Sequence, residues 1–80
     1  MKLPRDLSGH DLAKALTRLG YRVNHQTGSH IRLTTQQGGE HHLTVPNHDP
    51  IKPGMLNAIL RDVADHIGIS RDSLMQDLWS

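Results

Sequence analysis

Seven histidines in 80 residues make proton transfer and metal binding the first chemistries to test. His41 and His42 are adjacent in an alternating run, so on a strand their side chains point to opposite faces and cannot share an ion. There is no HExxH helix and no Cys. A site built from His48, Asp49 and a distant histidine is conceivable, but its spacing is generic. Neither a metal nor a cofactor is expected. Nucleophilic catalysis has less to build on: no serine sits in a G-x-S-x-G elbow, and Ser29 and His30, as strand neighbours, should diverge. Paired carboxylates are unpromising because Asp11, Asp49, Asp62, Asp65, Asp72 and Asp77 fall on expected helices or their connectors. A P-loop is absent. What remains is His30, directly after Gly28-Ser29. An imidazole titrates near neutrality and can act as general base or acid. Cleavage of RNA needs a group to take the 2′-hydroxyl proton, a group to protonate the leaving 5′-oxygen, and cations to steady the phosphorane. Gly28 lets a phosphate approach the backbone closely.

These residues need elements to hold them. Ser8 is a good helix N-cap, with Asp11 as a capping-box-like partner and Leu7 and Leu12 spaced as a hydrophobic staple. Leu12, Leu16 and Leu19 form an apolar stripe, and Gly20 follows where a left-handed C-cap belongs, so the pattern predicts a helix over 8–19 after a short extended lead-in from Leu3 to Leu7. Next, Tyr21, Val23 and His25 alternate with Arg22, Asn24 and Gln26. Ile31, Leu33 and Thr35 share one face of a second run. His41, Leu43 and Val45 share one face of a third, beyond a Gly38-Gly39 hairpin signal. Pro53 opens a second helix whose apolar positions Leu56, Ile59, Leu60, Val63, Ala64 and Ile67 recur at three and four residues, until Gly68 stops it. Ser70 caps a short last helix carrying Leu74, Met75, Leu78 and Trp79. Trp79 either packs on the domain or docks a partner. The expected fold is α+β, ordered α-β-β-β-α, with a three-stranded antiparallel sheet, helices on one face and a short C-terminal helix. If Ile31, Leu33, Leu43 and Val45 face the helices, the open face presents His30, Arg32, Thr34, His42 and Thr44, with Arg22 as a further candidate.

The length allows one small domain, residues 1–80, with a core over about 7–70 and a C-terminal helical extension over 70–80. Absence of Cys excludes a disulfide scaffold, a zinc ribbon and a thiol nucleophile. No apolar run approaches a membrane span and the N-terminus lacks the apolar stretch of a signal peptide, so a cytoplasmic location is expected. The net charge of +1 hides an asymmetry. Lys2, Arg5, Lys14, Arg18, Arg22 and Arg32 oppose only Asp6 and Asp11 in the first half, whereas acids outnumber bases in the second. A face built from the first half would attract polyanions.

Gly28-Ser29-His30 after an amphipathic helix and a strand, then Leu43-Thr44-Val45-Pro46, then Ile51-Lys52-Pro53-Gly54 opening a helix, resembles the HicA (YcfA-like) toxins over roughly residues 7–70. These are small ribonucleases of toxin–antitoxin pairs with a double-stranded-RNA-binding-like α-β-β-β-α fold. The resemblance implies a type II toxin that acts as a metal-independent endoribonuclease, with His30 as the catalytic histidine and mRNA as substrate. It further implies a HicB-type antitoxin that occludes the site, with any homo-oligomer expected only inside that complex. Arg32 and Lys52 are candidate phosphate contacts; Gly28, Ser29, Arg22 and His42 complete the expected RNA-binding set. The family often carries a second His directly after the first, where this chain has Ile31, and Met55 stands where Thr usually follows Gly54. The second proton carrier is therefore open, with His42 or His25 as candidates. Two non-catalytic readings stand beside this one. One is a double-stranded RNA binder of the same fold, although no Lys cluster follows Lys52. The other is a DNA binder using a helix-turn-helix at about 59–79, although Arg71 is there opposed by Asp72 and Asp77.

Overall fold

The computed structural model describes residues 6–79. Most of the lead-in expected at Leu3 to Leu7 lies outside these residues, as do Lys2 and Arg5. Helix α1 (Gly9–Leu16) starts from Ser8, whose extended backbone lets its Oγ accept the Asp11 amide at 3.0 Å. The helix tightens into a 3₁₀ turn at Thr17–Leu19 and ends on Gly20 in the left-handed region, φ 93°. Strands β1 (Arg22–Gln26), β2 (His30–Thr35) and β3 (His41–Pro46) follow as an antiparallel meander in the order β1-β2-β3. Helix α2 (Pro53–Ile67) has Pro at its start and ends on Gly68, also left-handed at φ 84°; α3 (Arg71–Trp79) closes the chain. This is the α+β layout with a three-stranded antiparallel sheet that the periodicity predicts.

The core explains the arrangement. Ile31, Leu33 and Val45 point from the sheet toward Leu12 and Leu16 of α1 and Leu60 and Val63 of α2, all essentially inaccessible to water. Each such side chain contributes about 1.5–3 kcal/mol on burial. Helix α3 belongs to the same core, because Leu74, Met75 and Leu78 are fully buried in it. Arg18 Nη1 donates to the Leu78 carbonyl at 3.1 Å, so a side chain from the first helical segment satisfies a C-terminal carbonyl of the last. Trp79 is partly buried against this cluster.

Strand β1 departs from simple alternation. Arg22 pairs with Thr34 and Val23 with Leu33, but Arg32 pairs with His25, which leaves Asn24 as the extra residue of a β-bulge. Past the bulge the two faces exchange. His25 therefore joins Arg22 on the open face instead of sharing a face with Tyr21 and Val23, which corrects the expectation from period-two spacing.

Candidate active site on the open sheet face

Thr27, Gly28, Ser29 and His30 make the tight turn between β1 and β2, closed by the Thr27 amide donating to the His30 carbonyl at 2.9 Å. Thr27 Oγ1 accepts from the His30 amide at 3.1 Å and the Ser29 amide at 3.3 Å, so one hydroxyl holds the turn from inside. The Asn47 amide donates to the Ser29 carbonyl at 2.9 Å, which ties the turn to the segment leaving β3. Gly28 is not left-handed, and a Cβ built on it would meet no atom within 4 Å. The fold itself does not require glycine there.

Ser29 lies in the turn and not on the strand, so the expected divergence from His30 does not occur. Its Oγ stands 2.9 Å from His30 Nδ1. A hydroxyl both donates and accepts, and it can follow the ring through either protonation state. Among the described residues Nε2 of His30 has no hydrogen-bond partner, and the residue is exposed.

The register sorts the other expected residues into rows along the open face. Next to the turn, His30 pairs with Pro46; one row on lie His25, Arg32 and Thr44; a further row on lie Arg22, Thr34 and His42. At about 3.3 Å per residue, successive rows stand ~6.6 Å apart. Arg32 is thus brought beside His30, while Arg22 and His42 lie ~13 Å away at the far end of the face. Both ring nitrogens of His42 are occupied, Nδ1 by Thr34 Oγ1 at 3.0 Å and Nε2 by Glu40 Oε2 at 3.4 Å. The Gln36 amide, and then His42, hold the Glu40 carboxyl below its ordinary range. This end of the face is a shallow depression of about 620 Å³, with Arg22, Asn24, Thr34, Gln36 and His42 in its lining. Lys52 stands exposed at the N-cap of α2 and makes no hydrogen bond to these residues among those described.

The remaining histidines sit elsewhere. His41 turns to the helix side, where Nδ1 meets Tyr21 Oη at 2.8 Å, Nε2 meets Asp62 at 3.2 Å, and the ring stacks on His66 with centroids 4.3 Å apart. Burial first, and then the Asp62 charge, push the Tyr21 hydroxyl up to about 12. His10 lines a groove beside Val23 and Gln26 on the helix side. Among the described residues no group of three or more His, Asp or Glu is placed to hold a metal ion. In the helical hairpin of α2 and α3, the Arg71 Nη2 donates to Asn57 Oδ1 at 2.7 Å, so the cation that a helix-turn-helix would turn to phosphate is engaged within the molecule.

Reading the residues alone missed three supports of His30: Thr27, Asn47 and the Ser29 hydroxyl. A Thr just before Gly-Ser carries a recognisable turn signal. The Asn47 contact, between residues far apart in sequence, carries none.

The layout is that of a double-stranded-RNA-binding-like domain whose uncovered sheet face bears the exposed imidazoles of His30 and His25 beside Arg32. Residues 9–64, more than half of the chain, match the family described as the HicA toxin of bacterial toxin–antitoxin systems, and the protein belongs to that family. No curated protein and no solved structure matches the chain. Among the described residues no helix is long and apolar enough to cross a membrane.

Proposed function

We propose that this toxin is an endoribonuclease that cleaves mRNA without a metal, with His30 as the catalytic residue. The observation that carries the reading is the state of His30: exposed at the edge of the open face, Nδ1 held by a hydroxyl, Nε2 free, and Arg32 one row away. With Nδ1–H donated to Ser29, Nε2 presents its lone pair to the 2′-hydroxyl of a bound ribose. Removing that proton lets the 2′-oxygen attack the adjacent phosphorus, and Arg32 faces the charge that builds on the phosphorane oxygens. Gly28 leaves open space for a phosphate at the turn. Arg22, Lys52 and His42 serve the flanking RNA, the first and last of them from the depression at the far end of the face. Membership in a toxin–antitoxin family entails a neutralising partner. We take it to be a HicB-type antitoxin that covers this face, with any homo-oligomer formed only in that complex. Residues 1–80 act as one domain in this reading.

The test is incubation of purified protein with a long RNA in EDTA, beside His30→Ala prepared identically. Wild type should cleave, and loss of a general acid–base group should slow the variant by ~10²–10⁴. Equal cleavage by both would remove His30 from the mechanism. Cleavage by wild type only after a divalent ion is restored would remove metal independence. Tight RNA binding by both proteins without cleavage would favour the non-catalytic binder.

A further inference from the structure

One imidazole cannot both take the 2′-hydroxyl proton and protonate the departing 5′-oxygen in the same in-line displacement, because the two oxygens lie on opposite sides of phosphorus. If His30 is the base, a second carrier must stand across the phosphate from it. We infer that His25 is that group; the inference rests on the ribonuclease reading above.

The bulge supplies the evidence. His25 pairs with Arg32 across β1 and β2, and His30 precedes Arg32 by two residues on the same strand. His25 and His30 are therefore diagonal neighbours on one face, ~7–8 Å apart in the backbone and within reach of extended side chains. Arg32 is the direct neighbour of both. The three define a triangle with a cation at one corner and an imidazole at each of the others. Without Asn24 as the extra residue, His25 would point to the helix side. Among the described residues its ring makes no hydrogen bond, so it is uncommitted, and it is exposed.

The other histidines do not meet these conditions. His42 is two rows from His30 with both nitrogens occupied. His41 and His66 are stacked on the helix side, and His10 lies in α1. His48 belongs to the connector, where its carbonyl accepts from the Gly9 amide at 2.8 Å, and no strand pairing holds it to the face.

The reaction then balances. His30 Nε2 takes the proton of the 2′-hydroxyl and the 2′-oxygen bonds to phosphorus. The bond from phosphorus to the 5′-oxygen breaks, and that oxygen takes a proton from the His25 imidazolium. The products are a 2′,3′-cyclic phosphate and a 5′-hydroxyl, with His30 protonated and His25 neutral. Exchange with solvent resets both.

The experiment measures cleavage of a long RNA across pH for wild type, His25→Ala, His48→Ala and His30→Ala. The wild-type rate should be bell-shaped, rising as the base deprotonates and falling as the acid deprotonates. His25→Ala should lose ~10²–10⁴ in rate and the falling alkaline limb with it. His48→Ala should keep both the rate and the bell. His25→Ala with the wild-type rate overturns the inference. So does a slow variant that retains both limbs, since His25 would then act only in binding or structure, and so does loss of the alkaline limb in His48→Ala. If wild type itself does not cleave, the ribonuclease reading fails; if His30→Ala is silent while His25→Ala matches wild type, only the role of His25 fails.

Discussion

Ser29 Oγ and His30 Nδ1, 2.9 Å apart, form the smallest unit on which the proposed chemistry depends. In the ribonuclease reading Ser29 is a positioning residue: it fixes the ring and accepts Nδ1–H so that Nε2 keeps its lone pair. A hydrogen bond of this kind contributes about 0.5–1.5 kcal/mol net. Ser29→Ala should therefore lower cleavage by roughly 2–10-fold and move the acidic limb of the pH profile, with little change in RNA affinity. Ser29→Thr, which keeps the hydroxyl, should restore the limb. A drop in affinity with an unmoved limb would make Ser29 an RNA contact instead. The sequence places Gly28, Ser29 and His30 in a row, and that much is legible. That Ser29 sits in a turn and reaches the ring is a consequence of where β2 begins, which alternation alone does not fix.

At the scale of elements, the site depends on how α1 and the connector after β3 clamp the sheet. Gly9 opens α1 against that connector, and a Cβ there would collide with the Pro46 carbonyl oxygen. The Gly9 amide donates to the His48 carbonyl of the same connector. No side chain fits without moving backbone, so Gly9→Ala should destabilise the protein by about 1–3 kcal/mol, the cost of overpacking. Urea unfolding should show this as a lower midpoint at unchanged slope. An unchanged midpoint would mean that the connector shifts freely, and the Asn47 contact that steadies the Ser29 turn would then be dispensable. The helices were legible from caps and stripes: Ser8, Gly20, Pro53 and Gly68 all stand where the structure uses them. The bulge in β1 was not, because an extra residue in an edge strand exposed along its whole length leaves no hydrophobic mark.

Across the whole molecule, stability should respond to alkali through Tyr21. It is the only tyrosine, is 1% exposed, and has its hydroxyl raised from 10.0 to about 12 by burial and then by Asp62. The native state thus holds a proton that the unfolded chain releases. The contribution is fully present below the unfolded value and is lost as pH rises through about 12. Phenolate absorbance should titrate near that value in native protein and near the ordinary value in denaturant, and Tyr21→Phe should flatten the alkaline decline in stability. A native titration at the ordinary value would contradict the packing of Tyr21 beneath His41. Local patterns in the sequence determined the order of elements, the helix ends, the inward residues of β2 and β3, and the position of His30 on the uncovered face. Those features follow from periodicity and capping, which act over a few residues. Tertiary structure alone decided which side chains meet between elements: His25 brought beside Arg32 by one extra residue, His42 set against Thr34 at the far end, and Arg71 turned onto Asn57. Such contacts depend on register and on packing between distant segments, and no local pattern in the sequence records them.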